Sequence, residues 1–162
     1  MKKFINRVED VENEMVAGLV RAFPRHLRKL ECGNAVVRAE KRTDKVALVT
    51  GGGSGHEPSF GGYVGFGMLD AAVAGAVYTS PAADVIYEAI KAVATEKGVL
   101  LAPMNYTGDI MNFEMAKDLA EADGIRVEQV VVNDAVAVDG PALFLWVTLS
   151  VLGLVSVLLL SE

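Results

Sequence analysis

The sequence predicts an α/β fold built on a parallel β-sheet. Strand-like and helix-like segments alternate at short spacing, and the clearest strand, KVALVT at residues 45–50, is apolar at successive positions. Such alternation is typical of βαβ units, and a continuous apolar strand is typical of one that is covered on both faces. Polar or glycine-rich segments directly follow three predicted strands, which is where open α/β sheets bind their ligands.

The N-terminal region begins with a predicted helix. Apolar residues recur with helical spacing over residues 9–30, and Pro24 inside that stretch is expected to kink or split the helix. A short strand at residues 34–39 follows, and then the KVALVT strand.

Two strand–helix units are predicted after the glycine-rich segment. The first is a strand at residues 71–78, with Ser80 as the N-cap of the next helix, Pro81 as its first residue and Gly98 at its end. The second is a strand at 99–102, a turn at 105–109 and a helix at 110–123 that Gly124 closes; a last strand is predicted at 127–132.

Composition limits the function classes. The chain has 162 residues, 52% of them hydrophobic and 22% charged, which suits one folded domain. A net charge of −6 argues against a nucleic-acid partner, because phosphate binding needs clustered Lys and Arg. Cys32 is the only cysteine, so no intramolecular disulfide can form, and a reducing, cytoplasmic location is expected. The N-terminus has no apolar run and does not read as a signal peptide.

The segment GGGSGHEP at residues 51–58 is predicted to form one wall of a small-molecule site. It does not fit the dinucleotide fingerprint, since the position that needs a third glycine is His56, and it lacks the lysine of a P-loop. Its backbone can approach a ligand closely and offer N–H groups. The alternative is that these glycines only serve tight turns.

His56 and Asp109 are the candidate acid–base residues. Histidine exchanges protons near neutral pH, and His56 follows the predicted 45–50 strand. Asp109 opens a helix after another strand, so it is either an N-cap or a carboxylate base for the same ligand. A solvated or structural role remains open for His56. The two histidines and Cys32 have no zinc-site spacing, so no metal is predicted.

Several motifs resemble one family closely. KVALVTGGGSGHEP at 45–58 and NYTGD at 105–109, with the residues around them, resemble the dihydroxyacetone-binding subunit (DhaK) of the dihydroxyacetone kinase family over about residues 1–138. The resemblance implies a homodimer that binds dihydroxyacetone while a partner subunit or domain supplies the phosphoryl group. ATP with magnesium, or ADP, would belong to that partner, and this chain would bind no cofactor itself.

The resemblance also implies roles for single residues. Gly53, Ser54, Gly55 and His56 would contact the triose, and His56 with Asp109 would deprotonate the attacking hydroxyl. The sequence departs from the family at Met104, where the family has a lysine of the binding site. The family's downstream histidine, which captures the substrate carbonyl covalently, has no counterpart. Impaired activity of the chain alone is therefore expected, and a non-catalytic module that senses dihydroxyacetone is the alternative.

The last segment, residues 139–162, does not resemble the family and is predicted to be separate from the domain at 1–138. Residues 141–160 form an uncharged apolar run of transmembrane length. The run reads either as a membrane anchor, which would make the protein membrane-associated, or as the product of a frameshift or truncation.

Overall fold

The computed structural model describes residues 4–133. Within them three α-helices and six strands follow in order. The elements are α1 (Val11–Ala22), β1 (Leu27–Lys29), β2 (Ala35–Arg38), β3 (Ala47–Ser54), β4 (Ala71–Val77), α2 (Ala83–Val93), β5 (Val99–Leu101), α3 (Thr107–Ala122) and β6 (Val127–Gln129).

The strands form one sheet in the order β1-β2-β4-β3-β5-β6. The four strands from β4 to β6 are parallel, whereas β1 and β2 are antiparallel to their neighbours. The α/β prediction and its parallel strands are confirmed. The antiparallel pairing of β1 with β2 and of β2 with β4 adds to the predicted sheet.

Helices cover the two faces of the sheet unequally. One face packs against α2 and α3, because α2 places Ile86, Ala89, Ile90 and Val93 on a single buried stripe. The other face packs against α1, which contributes Val16 to a smaller cluster with strands β1, β2 and β4. The sheet therefore has a large core on the α2–α3 side and a smaller one on the α1 side.

The predicted helix over residues 9–30 is only half correct. Helix α1 ends at Ala22, just before Pro24, and Leu27 lies in β1 opposite Arg38. In a helix already interrupted by Pro24, Leu27–Lys29 would form few backbone hydrogen bonds. Pairing with β2 instead satisfies their backbone groups and buries Leu27.

The predicted boundaries of α2 are also wrong. The N-cap is Ala82, without a side-chain hydrogen bond, and Ser80 and Pro81 precede the helix. The helix ends at Val93, and Gly98 instead provides the positive φ of +96° in the turn before β5.

The C-terminal predictions are partly confirmed. Strand β6 is present but ends at Gln129, short of residue 132. No helix within residues 4–133 is long and apolar enough to cross a membrane. The proposed boundary between 138 and 139 and the apolar run at 141–160 lie outside the described residues.

Candidate functional site

Strand β3 continues through the first glycines of the 51–58 segment. Gly51, Gly52, Gly53 and Ser54 pair with β4, so the prediction of a loop beginning at residue 51 is wrong. A Cβ on Gly53 would lie 2.7 Å from the Thr79 backbone nitrogen, closer than atoms can approach. Close packing against β4 and the residues after it therefore explains this glycine, and only residues 55–58 remain outside the strand.

Three segments meet at the carboxyl ends of the parallel strands, as the sequence predicts. The Tyr78 N–H donates a hydrogen bond of 2.9 Å to the Ser54 carbonyl, which joins the ends of β4 and β3. The Asn112 amide donates to the Pro81 carbonyl at 2.8 Å and ties α3 to the segment after β4. The 51–58, 78–81 and 105–109 segments thus form one rim.

The turn after β3 places His56 at the surface of this rim. Gly55 has a φ of +115°, which favours glycine, and its N–H donates to both carboxylate oxygens of Glu57 at 3.1 and 3.0 Å. His56 is exposed, and its ring centroid lies 6.5 Å from that of Phe60. The imidazole is therefore accessible to a ligand, whereas the Gly55 N–H is already occupied by Glu57.

Asp109 is buried at the start of α3. It is the third residue of the helix, and the N-cap position belongs to Tyr106, so the N-cap alternative for Asp109 is wrong. Its side chain is 2% exposed, and its Oδ1 atom has no hydrogen-bond partner among the described residues. Burial raises the pKa of the Asp109 carboxyl, while the Ser80 hydroxyl and the His56 charge lower it by smaller amounts.

The geometry brings an exposed imidazole and a buried carboxyl to one rim. Positive charge on His56 lowers the pKa of Asp109, but by less than burial raises it. Because the pKa of a buried carboxyl is raised, its carboxylate form is a stronger base than that of an exposed one. It is therefore suited to accept a proton from a ligand hydroxyl. An accessible imidazole and a carboxyl with a raised pKa are the kinds of group that general acid–base chemistry on an alcohol uses.

The Ser54 hydroxyl, which the resemblance places against the triose, is engaged within the protein, and Met104 adds an apolar group to the site. The Ser54 hydroxyl is buried and donates to the Gly75 carbonyl at 2.7 Å, which leaves only its lone pairs for a ligand. The Met104 methyl group lies 3.1 Å from the position of a Cβ on Gly52, so an apolar group stands beside the β3 glycines.

A cavity of about 390 Å³ opens on the α1 side of the sheet. Its wall is mainly apolar and includes Gly52, Gly53 and Ser54; residues of α1, β2 and β4 and residues 57–62 form the rest. Neither His56 nor Asp109 lines it. The cavity therefore shares the glycine wall with the rim but is separate from the acid–base pair.

Tyr78 at the rim was not foreseen from the sequence, whereas Ser80 was expected there but as the N-cap of α2. Tyr78 has a positive φ of 56°, and its ring lies 3.0 Å from the position of a Cβ on Gly55. The Ser80 hydroxyl lies 2.7 Å from the position of a Cβ on Gly108. No local sequence signal marks a tyrosine for positive φ, whereas the close approach of Ser80 is compatible with the glycine of NYTGD.

Comparison with known proteins places the chain in a family. The model of the Dak1 domain matches residues 17–143. The chain belongs to the Dak1 domain family. It is 55% identical over 139 residues to "PTS-dependent dihydroxyacetone kinase 1, dihydroxyacetone-binding subunit DhaK" of Listeria innocua, a match that covers 86% of this chain and 42% of that subunit.

Solved structures with the same fold support the assignment. The native dihydroxyacetone kinase of C. freundii superposes with a TM-score of 0.79 at 40% identity, covering 85% of this chain and 26% of that one. The dihydroxyacetone kinase operon co-activator DhaQ superposes with a TM-score of 0.70 at 36% identity, covering 78% and 38%. The chain thus spans less than half the length of each of these relatives.

Within the described residues, no three His, Cys, Asp or Glu side chains are grouped to hold a metal ion. The prediction that the chain carries no cofactor of its own remains a prediction.

Proposed function

We propose that this Dak1 chain binds dihydroxyacetone and presents one hydroxyl of it for phosphorylation, as the substrate-binding part of a dihydroxyacetone kinase. The observation that carries the proposal is the meeting of exposed His56 and buried Asp109 at the carboxyl rim of the parallel strands. The names of the Listeria and C. freundii relatives supply the substrate class.

In this proposal the reaction needs a base, because an alcohol is a weak nucleophile until its proton is removed as it attacks phosphorus. The hydroxyl of the bound triose lies between the two side chains. His56 forms a hydrogen bond to it, and the Asp109 carboxylate, whose Oδ1 has no partner among the described residues, accepts the proton. Gly53, Ser54 and Gly55 shape the wall against which the triose rests.

The phosphoryl donor belongs to another subunit or domain in this proposal. The Listeria relative is described as PTS-dependent, and the C. freundii enzyme has also been solved with AMP-PNP and Mg2+. ATP with magnesium, or ADP, would accordingly be held by that partner. A homodimer and a cytoplasmic location belong to the same proposal.

A non-catalytic role is the second candidate. Met104 offers no hydrogen-bond donor to an oxygen ligand, and one similar structure is an operon co-activator rather than a kinase. A chain that holds dihydroxyacetone without helping to transfer a phosphoryl group would suit a sensor.

Reconstituted phosphoryl transfer distinguishes the two roles. The purified chain is mixed with the phosphoryl-donor subunits of a phosphotransferase-dependent system, and formation of dihydroxyacetone phosphate is followed with wild type, His56→Ala and Asp109→Asn. The kinase role predicts that the wild type forms product and that either variant forms it at least about 100-fold more slowly. Saturable binding without product from the wild type would support the sensor instead.

A further inference from the structure

The segment between β4 and α2 is held in place from two sides. It passes so close to β4 that a Cβ on Gly75 would lie 2.8 Å from the Ser80 carbonyl carbon. From the other side, the Asn112 amide of α3 donates a hydrogen bond of 2.8 Å to the Pro81 carbonyl. Ser80 lies between these two constraints, and its half-buried side chain is therefore fixed at the rim.

The first turn of α3 leaves room for the Ser80 hydroxyl. A Cβ on Gly108 would lie 2.7 Å from the Ser80 Oγ and 3.2 Å from the Ser80 Cβ. The first distance is shorter than a real Cβ contact, so the hydroxyl fits there only because residue 108 has no side chain. The Ser80 hydroxyl thus lies beside the residue that directly precedes Asp109.

Asp109 depends on this hydroxyl because it has few other partners. The residue is buried, and its Oδ1 atom has no hydrogen-bond partner among the described residues. Within the same part of the chain, the hydrogen-bond donor that acts on the carboxyl is the Ser80 hydroxyl, and the charged group that acts on it is His56. Since a buried carboxylate is costly without a donor, Ser80 is well placed to stabilise it.

We propose that Ser80 is a positioning residue, whose hydroxyl donates to the Asp109 carboxylate and fixes its orientation toward the bound triose. The proposal rests on the role of Asp109 as the base in the function proposed above. A donor to the charged form also makes the carboxyl bind its proton less tightly, so the base stays ionised over a wider pH range. Gly108 belongs to the same arrangement, because it provides the space that the hydroxyl occupies.

The experiment is a titration of the Asp109 carboxyl in the full chain, followed by NMR of isotope-labelled aspartate carboxyls. The Asp109 signal is the one that Asp109→Asn removes. Ser80→Ala removes the hydroxyl, whereas Gly108→Ala retains it but places a Cβ 2.7 Å from its present position. Thr79→Val is the matched control, because it removes a hydroxyl from the same segment, one that contacts the Val77 carbonyl at 3.4 Å.

We expect the Asp109 carboxyl of Ser80→Ala to bind its proton about 10-fold more tightly than that of the wild type, because a hydrogen bond to a charged group is lost. The titration midpoint then lies about one pH unit higher. Gly108→Ala should move the midpoint in the same direction, and the double variant no further than Ser80→Ala, since both changes remove one contact. Thr79→Val should titrate as the wild type does.

A midpoint that stays at the wild-type value in Ser80→Ala, or that rises equally in Thr79→Val, overturns the proposal. Gly108→Ala retains Ser80 and decides the question even where Ser80→Ala does not fold, since an unchanged midpoint there also overturns it. The titration contains no dihydroxyacetone, so its result is separate from the success or failure of the proposed function.

The reconstituted phosphoryl-transfer assay then distinguishes positioning from a structural role. With Ser80→Ala, the fall in rate toward acid pH should begin about one pH unit higher than with the wild type, because Asp109 must be ionised to act as the base. A rate lowered by the same factor at every pH would indicate a structural role alone and overturn the proposal.

Discussion

Gly75 provides a sharp test of how the rim is built. It lies buried in β4 opposite Gly53, and the chain turns back over it after the strand. A Cβ at this position would lie 2.7 Å from the Pro81 nitrogen and 2.8 Å from the Ser80 carbonyl carbon, with the Thr79 carbonyl oxygen closer still. All three are backbone atoms, so no side-chain rotation can relieve the contact.

The size of the effect follows from these distances. Ordinary van der Waals contact begins at 3.4 Å, so the Pro81 nitrogen must move by about 0.7 Å, and the nearer Thr79 carbonyl oxygen by more, to admit the methyl group of Gly75→Ala. Overpacking of this kind typically costs about 1–3 kcal/mol, and because the neighbours are backbone we expect about 3 kcal/mol. The same shift displaces Ser80.

Urea unfolding followed by circular dichroism measures the change. The matched control is Gly18→Ala, which makes the same chemical change in α1 where nothing lies within 4 Å of the added Cβ. Alanine is the better helix former, so this variant should gain about 0.5–1 kcal/mol. If Gly75→Ala proved as stable as the wild type, the argument that glycines are needed here for close packing would be refuted.

Three further changes have defined outcomes. Asp70→Asn removes the carboxylate that receives Lys45, Arg38 and a backbone N–H, and should lower the free energy of unfolding by about 2 kcal/mol; an unchanged urea midpoint would contradict this. Asp109→Asn should gain stability relative to the wild type as pH rises. The folded-state pKa of Asp109 lies above the ordinary 3.8, so the wild type loses stability from about that pH up through the folded-state pKa. Thermal melts between pH 3 and pH 7 should show the two melting points diverge, and a constant difference would exclude the raised pKa. Met104→Lys should tighten dihydroxyacetone binding about 10-fold by adding a charged donor, as calorimetry can show; weaker binding would mean that the ammonium does not reach the ligand.

The parallel part of the sheet was readable from the sequence because its signals are local. Apolar runs such as residues 45–50 mark strands covered on both faces, and the segments that follow them fall at one rim by the geometry of parallel strands. His56 and Asp109 were selected by this rule, and the structure places both at the rim.

The sequence-based predictions were wrong for segments whose local structure depends on residues far away in the sequence. Strand β1 exists because β2 lies beside it, and nothing in Leu27–Lys29 alone distinguishes it from the end of a helix. Gly51 to Gly53 extend β3 by pairing with β4, and Val73, Phe60 and Thr79 leave no room there for a side chain, whereas a glycine run by itself indicates a loop. Ser80 lies two residues before the N-cap of α2, and its hydroxyl is close to Gly108 of another element.

The central claim is that the rim formed by His56 and Asp109 holds dihydroxyacetone. Isothermal titration of dihydroxyacetone into the purified chain tests it directly, with His56→Ala as the site variant and His26→Ala, also an exposed histidine, as the control. The account predicts saturable binding by the wild type and by His26→Ala, and binding at least about 10-fold weaker by His56→Ala, as expected when a polar group that contacts the ligand is lost. Absence of saturable binding to the wild type, or equal affinity in all three proteins, would contradict it.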